Sequence, residues 1–309
     1  MSYPFLSDVI KDLTGLDLPL PIATFGLLVA MAILAGAACL KRELARLHAE
    51  GRVGPAYKRV KGDDGSVSEV AVAPQEIVSD LAFIVVLVGI VGARLFHILE
   101  HTDQFLLDPW SMIFSRSGLS VFGGLILGTV AGVVCLRRWR LPIRPLLDAV
   151  APAMMLGYAL GRVGCQVSGD GDWGTVANMA LKPDWLPTWF WAQTYDNNIF
   201  GEVIAAPGVY PTSVYETVMA LACFALLWAL RKHRFQTGWL FSVYLVLAGI
   251  ERFVIEQIRV NPVMTIGGVH ASQAEMIAVV LALAGLVGMV LLSRRAASAP
   301  GATPVLPIP

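Results

Sequence analysis

Gly161-Arg162-Val163-Gly164-Cys165-Gln166-Val167-Ser168-Gly169-Asp170-Gly171-Asp172-Trp173-Gly174 ends a long apolar segment with an arginine and passes at once into a turn of glycines, acids and one tryptophan. A permanent cation and two carboxylates therefore gather where hydrocarbon meets water. A charge at membrane depth costs about 2.5 to 3.5 kcal/mol on insertion scales, so such residues mark functional sites by default. The glycines let the backbone turn tightly and expose N–H groups able to bind an anion. The plainer alternative is a glycine-rich loop with a snorkelling arginine.

The surrounding chain decides what kind of segment this is. The sequence is 56% apolar and only 15% charged, and its mean hydropathy is positive, which points to an integral membrane protein. Its formal charge is zero, so nothing in the charge argues for a nucleic-acid partner. No basic stretch precedes a short apolar core with a small-residue cleavage site, so no cleaved leader is expected. The four cysteines, Cys39, Cys135, Cys165 and Cys223, are far apart. Their spacing predicts neither a disulfide framework nor a zinc site.

Working outward, seven apolar stretches are long enough to cross a bilayer. They cover residues 21–40, 77–99, 119–136, 145–167, 211–230, 239–258 and 272–292. Basic clusters follow the first at Lys41, Arg42 and Arg46, the third at Arg137, Arg138 and Arg140, the fifth at Arg231, Lys232 and Arg234, and the last at Arg294 and Arg295. The positive-inside rule then sets the N-terminus outside and the C-terminus in the cytoplasm, with every basic cluster inside. The expected fold is an all-α seven-transmembrane helix bundle. Residues 1–20 form an external interfacial lead-in, 21–292 the bundle with the tryptophan-rich external loop 168–210 as its head, and 293–309 a disordered tail. No soluble domain or internal repeat is seen.

This topology places Arg94, Arg162 and Arg252 at similar depth beneath the outer face. Glu256 lies one helical turn from Arg252 and can pair with it. Tyr215 and Glu216 open the fifth span, and Asp170 and Asp172 cap the fourth, at the same level. Arginine carries a planar fork of donors that fits phosphate oxygens. Two readings are open: a pocket for an anionic phospholipid headgroup entered from the outer leaflet, or salt bridges bracing helices, with Arg252 on Glu256 and Arg94 on Glu100 or Asp103. Arg252 lies deeper than Arg259, so its loss is expected to do more harm.

Several of these residues also carry a resemblance. Gly161-Arg162-Val163-Gly164 with Gly169 and Trp173-Gly174, Phe122-Gly123-Gly124-Leu125-Ile126-Leu127-Gly128, Pro211-Thr212-Ser213-Val214-Tyr215-Glu216, Arg252-Phe253-Val254-Ile255-Glu256 with Arg259 and Pro262, and Gly92-Ala93-Arg94-Leu95 stand in order along the chain. Together they resemble the prolipoprotein diacylglyceryl transferase family. The resemblance implies a bacterial cytoplasmic-membrane enzyme with its active site toward the outer leaflet. Such an enzyme transfers diacylglyceryl from phosphatidylglycerol to the lipobox cysteine of a prolipoprotein, forming a thioether and releasing glycerol phosphate. It also implies that Arg162 and Arg252 hold the phosphate, that Glu256 orients Arg252, and that the loop from Asp170 to Gly174 binds lipid or closes the site. Substrate contacts are expected from Arg94, Gly164, Gly174, Tyr215 and Arg259, with no metal or cofactor. The oligomeric state is not readable.

The chain departs from the family pattern at four polar positions. Phe122 replaces the histidine before Gly-Gly, Cys165 an asparagine, Phe25 a tyrosine and Tyr210 a histidine. The signature loop is also lengthened by its Gly-Asp repeat. Proton transfer then falls to Asp170, Asp172, Glu216, His97 or His101, each with a structural alternative: His97 as an interfacial helix-end residue, Asp172 as a turn cap. Cys165 reads as a small packing residue. Two further readings are a transferase of the same fold with another acceptor and a non-catalytic phospholipid-binding or transport protein.

Overall fold

The computed structural model describes residues 2–61, 67–115, 118–266 and 269–294. The turn-like Gly62 to Gly65 and the tail from Arg295 lie outside the described residues.

Long apolar runs become helices because a backbone in hydrocarbon must satisfy its own N–H and C=O groups. The chain opens with α1 (Leu6–Thr14) and α2 (Thr24–Ala49), followed by the strands β1 (Ala56–Lys61) and β2 (Val67–Val72). These pair antiparallel with Ala56 opposite Val72. Next come α3 (Val78–Glu100), the short α4 (Thr102–Leu107) and α5 (Pro109–Phe114), then α6 (Val121–Arg138) and α7 (Ile143–Ser168). An irregular segment holding α8 (Thr188–Trp191) leads to α9 (Thr212–Leu230) and α10 (Trp239–Glu256). A second antiparallel hairpin, β3 (Val263–Ile266) with β4 (Val269–Ser272), delivers the chain into α11 (Gln273–Leu292).

Six helices, α2, α3, α6, α7, α9 and α11, are long and apolar enough to cross a membrane. The stretch expected at 239–258 is α10, whose 18 residues include Glu251, Arg252 and Glu256. It packs antiparallel to α11, where Gly249 meets Ala278 and Gly285 meets Ser242. Apolar side chains such as Leu34, Phe83 and Val280 stay exposed, as they do where the solvent is lipid.

The expected spans match the helices to within three residues, except at the end of the first. Leaving the apolar stretch does not end α2, because Leu44 and Leu47 continue its inward face and are buried with Ile77 and Leu146. The chain that follows the first apolar stretch, beginning with the basic cluster at Lys41, is thus a helix end and a β-hairpin. The lead-in likewise contains α1, so the long elements are all helical and the two hairpins are additions to the expected class.

Helices α3 and α6 approach closely along a glycine seam. A Cβ on Gly92 would lie 2.5 Å from the Gly123 carbonyl oxygen, and one on Gly123 would strike Gly92 and Phe96. Small residues at such a seam let two backbones touch. Helix ends sort into two polar layers. In one, the N-terminal segment joins the chain after α7, with Ser2 N donating to Asp196 O at 2.6 Å and Tyr3 N to Val167 O at 2.6 Å. In the other, Arg46 donates to Arg231 O at 3.2 Å and Gln236 N to Leu292 O at 3.2 Å.

Candidate active site

Charge converges on Glu216, near the start of α9, whose side chain is fully buried. One carboxylate oxygen, Oε2, pairs with Arg162 Nη2 and lies 3.6 Å from Arg259 Nη1. The other, Oε1, accepts a 2.9 Å hydrogen bond from the Tyr158 phenol and lies 3.7 Å from Arg252 Nη1. Asp172 forms a second bridge, one oxygen on Arg162 Nη1 and the other on Arg259 Nη2. Arg252 pairs with Glu256 at 2.8 Å, and Glu256 also accepts from Asn261 Nδ2 and Ser272 Oγ, each at 2.6 Å.

Local sequence explains how these groups arrive. Tyr158 and Arg162 are four residues apart on α7, as are Arg252 and Glu256 on α10, so each pair shares a helix face. The loop carrying Asp172 is pinned to α9 by the Thr212 and Ser213 hydroxyls, which donate to its carbonyl at 2.5 and 3.3 Å. Gly174 then slips between the end of α10 and the start of α9. Its N–H donates to Tyr210 O at 2.9 Å, and an added Cβ would lie 2.6 Å from Ile258 O. A side chain there would push Asp172 and Arg259 apart.

The electrostatics follow from this packing. Burial pushes the Asp172 carboxyl up, and the guanidiniums of Arg162 and Arg259 more than reverse it, holding Asp172 below its ordinary value. Three guanidiniums are ion-paired with three carboxylates, Asp172, Glu216 and Glu256, and a fourth acid, the buried Glu251, lies at the Tyr158 phenol. The cluster's donors are not all used. Arg162 Nε and Arg259 Nη1 are buried without a hydrogen-bond partner, which is costly unless an acceptor arrives. A cleft of about 460 Å³ opens beside Arg259, which lines it together with Asp170, Gly171, Trp173, Phe200, Glu202 and Asn261.

Of the residues singled out in the sequence, Arg162, Arg252, Arg259, Glu216 and Glu256 come together here. Asp170 borders the cleft, where its Oδ1 accepts from Asp172 N at 3.3 Å. Asp172 does more than cap a turn. Arg94 does not join them: its described partners include the carbonyls of Met112, at 3.3 Å, and Ser115. Equal depth along a helix does not fix which face a side chain takes. Tyr215 instead donates to Phe190 O at 2.7 Å, tying α9 to the irregular segment that precedes it. Gly164 packs against Phe25 and Leu28 of α2, and Phe122 is 41% exposed beside the glycine seam. The expected precedence of Arg252 over Arg259 is reversed in burial: the Arg259 side chain is 14% exposed and that of Arg252 30%.

Sequence reasoning passed over Tyr158, Glu251, Asn261 and Ser272. Tyr158 was detectable from its spacing to Arg162. Glu251, buried with the Tyr158 phenol at 3.5 Å, is an acid inside an apolar stretch and carries the same signal as its neighbours. Asn261 and Ser272 reach Glu256 only because the β3–β4 hairpin folds back, which no local pattern reveals.

The chain is also similar in sequence to known proteins. The sequence model of prolipoprotein diacylglyceryl transferase matches residues 13–291. The chain is 32% identical over 208 residues to a phosphatidylglycerol–prolipoprotein diacylglyceryl transferase of Corynebacterium glutamicum, an alignment covering 63% of each chain. Proteins of the same name from Bacillus cytotoxicus and Symbiobacterium thermophilum are 29% identical over 192 residues and 30% identical over 234. These alignments cover 62% and 71% of this chain, and 68% and 78% of the relatives. The chain thus spans less than two thirds of the Corynebacterium relative's length.

Proposed function

We propose, from the premise that the chain belongs to the prolipoprotein diacylglyceryl transferase family, that it transfers the diacylglyceryl group of phosphatidylglycerol to the lipobox cysteine of prolipoproteins. The observation that carries this reading is the meeting of Arg162, Arg252 and Arg259 around Glu216 beside an open cleft. In this reading α10 is a seventh crossing, the N-terminus is external and the basic helix ends are cytoplasmic. The cleft then faces the outer leaflet of the bacterial cytoplasmic membrane. Residues 21–292 act as the catalytic bundle, and the loop 168–210 is its external head.

The chemistry follows from charge development. The lipobox sulfur attacks the glyceryl carbon esterified to phosphate, an S–C bond forms, the C–O bond breaks, and glycerol phosphate leaves with the electron pair. Arg162 Nε and Arg259 Nη1, already desolvated, stabilise the phosphate as its charge grows, which is where preorganised donors act most strongly. Glu216 and Asp172 hold the guanidinium forks in place, and Glu256 aims Arg252. The thiol proton passes to Asp170, a cleft carboxylate in the signature loop that no arginine among the described residues engages. Phe122, where the family carries histidine, cannot take it.

The test is a reconstituted reaction. Purified protein in phosphatidylglycerol vesicles, given a fluorescent lipobox peptide, is expected to yield thioether-linked diacylglyceryl peptide and glycerol phosphate in equal amounts. Arg162→Ala is expected to lose both. Glycerol phosphate released without peptide modification would move the reading to another acceptor, and lipid binding without turnover would remove the enzyme reading.

A further inference from the structure

A second constellation lies apart from the arginine cluster, where α3 ends. His97 and Glu100 lie three residues apart on the last turn of α3, and His101 is the residue that caps it. Their ligand atoms lie within 4.8 Å of one another, and the two imidazole centroids are 4.4 Å apart. Tetrahedral zinc, with bonds of about 2.0 to 2.1 Å to nitrogen, sets its ligand atoms about 3.4 Å apart. Side chains at the end of a helix close that difference by small rotations.

The groups around the three are arranged as a metal site requires. His101 Nδ1 lies 3.1 Å from the His97 carbonyl oxygen. The tautomer that donates there leaves the Nε2 lone pair outward, the way metal-binding histidines are held by backbone carbonyls. Glu100 Oε1 accepts a 2.8 Å bond from Ser120 Oγ, and Ser120 N donates to Ala93 O at 3.0 Å, so the carboxylate is oriented from a second element. Where the loop passes His97 it does so at Gly118, and a Cβ at that position would strike Nε2. Among the described residues Glu100 takes part in no ion pair, so one of its oxygens remains available.

We propose that His97, Glu100 and His101 bind a divalent first-row transition cation, with zinc as the reference ion. Two imidazoles and a carboxylate leave a fourth position for water, the donor set such ions take and one that magnesium or calcium, which require oxygens, do not. The cysteine spacing that argued against zinc has no bearing on this set. Through Ser120 the ion braces the end of α3 against the start of α6. The site is independent of the transferase reading.

The experiment uses the full chain in detergent, stripped with a chelator and titrated with zinc chloride against a chromophoric competitor, with thermal unfolding followed in parallel. One zinc per chain is expected, with a rise in Tm because the ion binds only the folded form. Affinity is expected to fall at least tenfold in His97→Ala and in His101→Ala, less in Glu100→Gln, and not at all in His270→Ala. If His97→Ala does not fold, His97→Gln serves in its place. Absence of a stoichiometric site in the unaltered protein would overturn the proposal, as would zinc binding that survives in the double variant His97→Ala/His101→Ala.

Discussion

Two buried glutamates sit at opposite ends of the bundle, and the difference between them separates bracing from chemistry. Glu43, near the end of α2, pairs with Arg46 at 2.7 Å and Arg231 at 3.1 Å. Arg46 spends its remaining donors on Glu50 and the Arg231 carbonyl, and Arg231 lies over the Trp228 ring at 4.1 Å. Glu216 gathers more arginines yet leaves donors unused beside an opening. Each site holds buried guanidinium nitrogen without a hydrogen bond, Arg231 Nε at the first and Arg162 Nε with Arg259 Nη1 at the second, and at the second a cleft opens beside Arg259. Buried ion pairs are weak evidence of net stabilisation, so what separates the two sites is the cleft beside Arg259 rather than the number of charges.

That contrast breaks first under paired neutral substitutions. Glu216→Gln, measured as peptide lipidation per folded molecule, is expected to lose at least about a hundredfold, the scale of removing an element of transition-state stabilisation. Glu43→Gln is expected to keep its turnover per folded molecule and to fall in stability instead, by about 3–5 kcal/mol as for other broken buried pairs. If both variants lose stability alone, Glu216 is only a brace.

A smaller difference separates two arginines within the Glu216 site. Arg259 touches Asp172 and faces Glu216 with a nitrogen that makes no hydrogen bond, whereas Arg252 is more exposed and ion-paired with Glu256. Arg259→Ala is therefore expected to lower kcat/KM about tenfold more than Arg252→Ala, or about 1.4 kcal/mol of transition-state binding. Equal losses would return the advantage to depth.

The smallest effect is a pH dependence. Asp172, held below its ordinary value when folded, contributes stability that is complete above the unfolded carboxylate value and disappears as the pH falls through the lowered folded value. Tm measured across the acid range is expected to show this loss in the unaltered protein. The Asp172→Asn variant, less stable at neutral pH, is expected to show a flatter acid limb. An identical limb in both would assign the acid sensitivity to other carboxylates.

Much of this architecture was legible in the chain. Hydrophobic runs set the helices because the bilayer leaves the backbone few alternatives, and the buried charges announced themselves by their expense. What failed was facing. Arg94 has the depth of Arg162 yet turns toward the carbonyls of Met112 and Ser115. Gly123 and Gly124, read beside a catalytic position, belong to a packing seam. Neither outcome is encoded in periodicity, because each depends on which neighbour a helix meets. The hairpins escaped for a related reason: β3–β4 is short, and its role is to bring Ser272 back to Glu256.

Ser272 has a consequence in time as well as in space. Its hydroxyl accepts from Glu275 N at 3.1 Å to start α11 and donates to Glu256 at 2.6 Å, the carboxylate that aims Arg252. A residue that opens α11 therefore fixes the carboxylate beside a guanidinium carried by α10, which is synthesised before it. Alignment of Arg252 is thus expected to wait until α11 has been made and has packed on α10.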